Sequence, residues 1–192
     1  MLIFLRDERE WRQWVDSKFM HVIAPNVYRT LKESLDAFHW FDKAGQWEQN
    51  FNTFERYCAK YLGAIAMYFI SKRLKTRYEL KDDVRESLYE FANEWADAVG
   101  TTNKFRGGEI PNLSDLALYG ALNSFKGCEA FVDLMRNAKI KTWYENCRQH
   151  VKASKGKERL NLIEVVNEKP ASIEPSKPIE QTKQSNKRFW LF

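Results

Sequence analysis

Turn-forming residues are scarce in this chain. Eight glycines and five prolines occur in 192 residues, and three of the prolines (Pro170, Pro175, Pro178) fall near the C-terminal end. The first 150 residues or so are thus poor in punctuation, which disfavours a fold of many short strands and turns and favours long helices. Long hydrophobic runs are also missing. The longest, Tyr61 to Ile70, is about half of the roughly 20 residues that cross a bilayer, so no transmembrane segment is expected. Arg6, Asp7, Glu8, Arg9 and Glu10 interrupt the N-terminal stretch, which excludes a secretory signal there. The three cysteines, Cys58, Cys128 and Cys147, include no pair spaced two apart. That excludes a disulfide framework and a Cys-x-x-Cys redox motif, and a reducing, cytoplasmic setting follows. His39 and His150 stand apart from any Cys, Asp or Glu at ligand spacing, so no metal site is expected.

Apolar residues make up 44% of the chain and aromatics 15%, enough to bury one core. The formal charge of +5 is unevenly spread. From Lys152 onward nine Lys/Arg face five Glu, a net of +4, which leaves +1 for residues 1–151. Two regions are expected: a helical domain over 1–151 and a basic tail over 152–192, too rich in Lys, Glu, Ser, Pro and Gln to order itself. The tail ends in Arg188, Phe189, Trp190, Leu191 and Phe192, a basic and aromatic cluster suited to peripheral contact with an anionic membrane or a partner groove. A plain disordered extension fits the same composition. Nucleic-acid binding is not expected, because the body is nearly neutral and glutamates dilute the tail.

Seven helical pieces can be read along the body. Asp7 and Glu10 resemble a capping box, followed by Trp11, Trp14, Val15, Phe19 and Val22 at helical spacing, with an end expected before Pro25. Thr30 and Glu33 form a capping box for a helix carrying Leu31, Leu35, Phe38 and Phe41, which Gly45 stops. From about Glu48 a long helix carries Phe51, Phe54, Cys58, Tyr61, Leu62, Ile65 and Phe69 toward Arg77, with Gly63 placed for close packing. A helix from about Asp82 shows Val84, Leu88, Phe91, Ala92, Trp95 and Val99 before Gly100. Asn112 and Asp115 then cap a helix with the apolar residues Leu116, Leu118, Tyr119 and Leu122, reaching about Phe125 with Gly127 beyond it. Short helices over 130–135 and 141–151 complete the set. The tryptophans Trp11, Trp14, Trp40 and Trp47 suit core packing better than a ligand cleft. Cys58 reads as a small buried hydrophobe, and Cys147, near Lys141 and Arg148, as the more exposed thiol.

On the long helix Arg73 and Arg77 are four apart, so both guanidinium groups share one face. They can converge on a carboxylate or phosphate-like anion, or simply complement the negative end of the helix dipole.

The segment FRGGEIPNLSDLALYGAL from Phe105 resembles the start of the central buried helix in glutathione transferase C-terminal domains. Here Asn112 stands where Ser or Thr is usual. With WRQWVDSKFMHVIAPNVYRT from Trp11, YLGAIAMYFISKRLKTR from Tyr61 and AFVDLMRNAKIKTWYENCRQHV from Ala130, residues 8 to 151 are similar to the C-terminal half of the membrane-associated prostaglandin E synthase type 2 family. That resemblance implies an all-α bundle of glutathione transferase C-terminal type. Family members place a thioredoxin-like domain with a Cys-x-x-Cys before it, and that domain is expected to be missing here.

The family reaction is isomerisation of prostaglandin H endoperoxide to prostaglandin E. The resemblance implies a cleft holding glutathione and heme, with His21, Arg73 and Arg77 as its cofactor-binding residues and no catalytic residue in this part. Ala24 replaces a serine of the family site. The arginines would pair with heme propionates, while glutathione is gripped largely by the thioredoxin-like domain, so inactivity alone and weak heme affinity are expected. The alternatives are a noncatalytic interaction module, as a homo-oligomer or a dimer with a full-length paralogue through an uncovered apolar face on the first and third helices, and a fragment of a longer product. The implied location is the cytoplasmic side of Golgi or perinuclear membrane.

Overall fold

A computed structural model describes residues 2–154, with side chains from Arg6 onward. The basic tail expected from residue 152 lies almost wholly outside the described residues. Among those described the chain is helical, and its only paired extended residues are the isolated bridge Phe105–Gly108. The helices are α1 (Leu2–Trp14), α2 (Met20–Val27), α3 (Leu31–Ala44), α4 (Trp47–Asn50), α5 (Thr53–Arg77), α6 (Val84–Val99), α7 (Leu113–Asn123), α8 (Glu129–Asn137) and α9 (Lys141–Ala153). This is the expected all-α bundle.

The first helix departs from its expected form at both ends. It begins at Leu2, and Asp7 caps nothing: its carboxylate lies 2.6 Å from the Arg106 guanidinium. It also continues past its expected stop. A π-helical turn, Val15–Phe19, joins α1 to α2, and Pro25 lies inside α2. Proline offers no N–H to the carbonyl four residues back, and tertiary contacts hold the helix regardless. Asn26, fully buried, donates from Nδ2 to the carbonyls of Val22 at 2.8 Å and Val84 at 3.0 Å, bonding α2 to α6.

The long helix expected from Glu48 is broken. Phe51 and Asn52 leave helical geometry, and Asn52 forms a complete capping box with Glu55 that restarts the chain as α5. α5 runs antiparallel to α3. Phe38 sits where a side chain on Gly63 would fall, its Cε1 only 2.5 Å from the position of an added Cβ, so glycine permits this approach. Ser34 Oγ donates to the Ala64 carbonyl at 2.6 Å, and the buried Asp42 carboxylate accepts from Arg56 at 2.7 Å and Lys60 at 2.9 Å. Those cations hold the Asp42 carboxyl well below its usual range, at about 2.

The core is built from Phe19, Val22, Leu88, Trp95, Leu118, Leu122, Leu134, Ile140 and Tyr144, all buried. Trp11 stands edge-on to Trp95 at 5.3 Å, and Trp143 does so from α9 at 5.4 Å. Trp11, Trp14 and Trp40 therefore pack as expected for core tryptophans. α7 is shorter than expected and buries one face: Leu118, Ala121 and Leu122 turn inward while Leu113 and Leu116 turn out. Gly127 terminates no helix. It admits the Trp40 indole, which would lie within 2.1 Å of a Cβ there.

The Asn112–Asp115 capping box is present in full. Asp115, fully buried, also accepts from the backbone N–H groups of Arg106 (2.9 Å) and Gly107 (3.1 Å) and from Trp143 Nε1 (2.8 Å). Asp115→Ala would strand these donors away from water. It is expected to cost about 3 kcal/mol or more in urea unfolding, against about 1 kcal/mol for Asn112→Ala. A second test concerns pH. Because Asp42 is depressed in the folded state, its contribution is present above the ordinary value of 3.8 and is lost as pH falls toward about 2. Urea midpoints should therefore fall across that window, and fall less steeply in Asp42→Asn.

Candidate functional site

α2 and the end of α5 are bonded together, and this junction sets the geometry of the predicted site. Ser71 Oγ lies 2.8 Å from the Tyr28 carbonyl, and Lys72 Nζ donates to the Arg29 carbonyl at 3.0 Å. Lys75 Nζ donates to the Asp82 carbonyl at 2.9 Å, fixing the turn after α5. Glu79, in this turn, has a φ of 50°, a left-handed conformation that costs a non-glycine residue strain.

Tyr78, the C-cap of α5, organises what stands here. The His21 ring stacks on it with centroids 4.0 Å apart and planes 5° apart. The Arg77 guanidinium lies 5.9 Å from the centroid of the same ring. Two of the three predicted residues, from different helices, thus meet on one aromatic side chain that sequence reasoning did not single out. Its position immediately after Arg77 was the available signal. Arg73 lies one turn earlier on α5 and is exposed, like Arg77. Among the described residues neither guanidinium is paired with a carboxylate, unlike Arg29, Arg56, Arg85 and Arg106. The pair therefore presents uncommitted donors to an external anion.

The notch beside this site is small. Pro25, Arg29, Ser71, Lys72, Lys75 and Asp82 help line about 70 Å³, too little for a cofactor body. A cleft of about 400 Å³ is lined by Val99, Asn103, Lys104, Trp143 and Asn146 among others, and by none of the predicted residues.

Beneath the site lies a buried ionic network that the sequence did not disclose. Arg85, 3% exposed, donates to Glu33 at 3.3 Å, to Asp133 at 3.1 Å, and to the Asn26 carbonyl at 2.8 Å. It joins α2, α3, α6 and α8. Glu33 is consequently only half of the expected capping box: its N–H donates to Thr30 Oγ1 at 3.1 Å, while its carboxylate turns to Arg29 and Arg85. An arginine between Val84 and Leu88 on an otherwise apolar face was the faint sign of this.

The thiols are redistributed relative to expectation. Cys147, expected to be exposed, is fully buried, and burial pushes its pKa up to about 12. Cys128 is buried as well and raised to about 11. Cys58 is the partly exposed one. α9 turns its Trp143, Tyr144 and Cys147 face inward, a choice that proximity to Lys141 and Arg148 does not reveal.

Helices bundled around a capped, half-buried helix with a glycine turn before it define an all-α bundle. No family model matches the chain. It is 52% identical over 138 residues to prostaglandin E synthase 2 of Mus musculus, covering 72% of this chain and 35% of that protein. It is 44% identical over 149 residues to prostaglandin E synthase 2 of Danio rerio, covering 76% and 38%. Over these stretches the chain is homologous to the prostaglandin E synthase 2 family. It spans a little over a third of the length of these curated relatives.

In the native protein a thiol reagent should modify Cys58 alone. Cys128 and Cys147 should become reactive only with unfolding, a sequence that mass spectrometry of labelled peptides would follow in urea.

Proposed function

We propose that this chain supplies the helical half of a prostaglandin E synthase 2-type isomerase, which converts prostaglandin H endoperoxide to prostaglandin E. The observation that carries this reading is the pair of exposed, uncommitted guanidinium groups, Arg73 and Arg77, beside the His21–Tyr78 stack. Arg73 and Arg77 suit the carboxylates of glutathione or the propionates of heme, because a guanidinium fork binds a carboxylate through two parallel hydrogen bonds. His21 would add a ring contact beside them, with Tyr78 holding its plane. Ala24, in place of the family serine, leaves one hydroxyl fewer.

Heme, when bound, would supply the redox-active iron associated in the family with endoperoxide breakdown. The chain's own groups here serve to bind and orient anionic ligands. The isomerisation needs an accessible, acidified thiol, and Cys128 and Cys147, buried with raised pKa values, are unsuited to it. The thiol belongs to the thioredoxin-like half of such an enzyme. The helical half by itself should turn over endoperoxide at background and bind heme weakly.

Two measurements test this. Heme added to the purified chain with reduced glutathione should give a weak, saturable Soret change. In Arg73→Ala/Arg77→Ala the affinity should fall by roughly tenfold, about 1.4 kcal/mol; an unchanged titration would remove the arginines from the site. Endoperoxide turnover clearly above a mock preparation would overturn the assignment of catalysis to the other half.

A further inference from the structure

α6 ends at Gly100, whose φ of 79° turns the chain away from the helix axis. The cleft of about 400 Å³ lies between the residues that follow and the first turns of α9. It shares no residue with the His21–Tyr78–Arg77 site. Its inner surface is apolar and fixed. Val99 and Trp143 form it, each almost fully buried. The Trp143 ring is held in place, because its Nε1 donates to Asp115 at 2.8 Å and its edge meets Trp95. The walls are polar and largely uncommitted. Thr142 and Asn146, a turn apart on α9, make no side-chain hydrogen bond among the described residues. Asn103 uses only its Nδ2, toward the Val99 carbonyl at 3.3 Å.

The charge of this lining is unbalanced. Lys139 Nζ lies 3.1 Å from Asp97, and both line the cleft, so the two cancel. Lys104 Nζ pairs at 2.6 Å with Glu109, which stands outside the lining. Both partners of that pair are exposed, and such a pair is weak enough to exchange for another anion.

We propose that this cleft is a second ligand site, which takes a small aromatic carboxylate of one or two rings, its ring on Val99 and Trp143 and its carboxylate at Lys104. This goes beyond the endoperoxide reading and does not depend on it. Small-molecule sites occupy roughly 300–1,000 Å³, and this one falls near the lower end, which favours a compact ligand over a dinucleotide. The floor selects an aromatic ring, because a ring gains from contact with a fixed indole beyond the area it buries. The lining selects a single negative charge. Lys104 is its one cation without a carboxylate partner inside the cleft, and Asp97 opposes a dianion such as phosphate. Thr142 and Asn146 supply hydrogen bonds that fix orientation, and the pinned Trp143 leaves little to order on binding.

The full 192-residue chain, labelled with nitrogen-15, can be titrated with 2-naphthoate and followed by amide resonances. Shifts should saturate with a dissociation constant of about 1 mM or below and cluster over 96–104 and 139–146. The neutral isostere 2-naphthamide should bind roughly threefold or more weakly, and Lys104→Glu should weaken 2-naphthoate by a similar factor. Lys104 is exposed, so that variant should keep the parent spectrum elsewhere. Asn146→Trp, which fills the cleft, should abolish the shifts. Arg73→Ala/Arg77→Ala should leave them unchanged, which separates this site from the anion site beside Tyr78. Shifts that never saturate would overturn the proposal. So would shifts centred on Arg73 and Arg77 or on the exposed Phe54, Leu62 and Phe69 of α5, as would equal affinity for naphthoate and naphthamide or indifference to Lys104→Glu.

Discussion

The carboxylate of Asp115 holds together the glycine turn, the start of α7 and, 28 residues away, α9. It takes three backbone N–H groups and the indole N–H of Trp143, all between 2.8 and 3.1 Å. One buried side chain thereby starts α7, closes the glycine turn before it and docks α9. Gly107 is required for this closure, since a Cβ there would lie 2.2 Å from the Ile110 carbonyl oxygen. The turn in turn positions Arg106, whose guanidinium holds Asp7 of α1 and lies 5.0 Å from the Trp11 ring. The packing of Trp11, Trp95 and Trp143 thus depends on a polar junction rather than on hydrophobic burial alone. A buried carboxylate is tolerable because each lone pair has a donor.

A second buried junction, around Arg85, does for α2, α3, α6 and α8 what Asp115 does for α1, α7 and α9. Four acceptors from three other helices meet one guanidinium. This explains how α2 tolerates Pro25. Asn26, next to the proline, is held from both ends of its side chain, by Val22 and Val84 on one side and by Arg85 on the other. The same anchoring fixes the height of His21 one turn earlier and so its stacking on Tyr78. The candidate site is therefore supported by ordered polar contacts beneath it while its own arginines remain free.

The two faces of α5 divide its roles. One face, with Gly63 against Phe38 and Ser71 against Tyr28, makes the helix part of the body. The other is apolar for about four turns and then cationic. A periodicity reading records the apolar row accurately and has no means of deciding which way it points. α3 packs on the small residues instead, because Gly63 and Ala64 allow the closer approach.

By itself the sequence determined the helical class, the Asn112–Asp115 cap, the Thr30 and Gly45 boundaries, and the membership of His21, Arg73 and Arg77 in one resemblance. These are local matters: caps, spacing and glycine placement act within a turn or two of the chain. Tertiary structure alone decided the continuation of α2 through Pro25, the burial of Cys147, the turning of Glu33 from its cap to Arg85, and the meeting of His21 with Arg77 on Tyr78. Each depends on partners tens of residues away, whose approach is set by packing and by the need to satisfy buried charge, and neither leaves a period in the sequence.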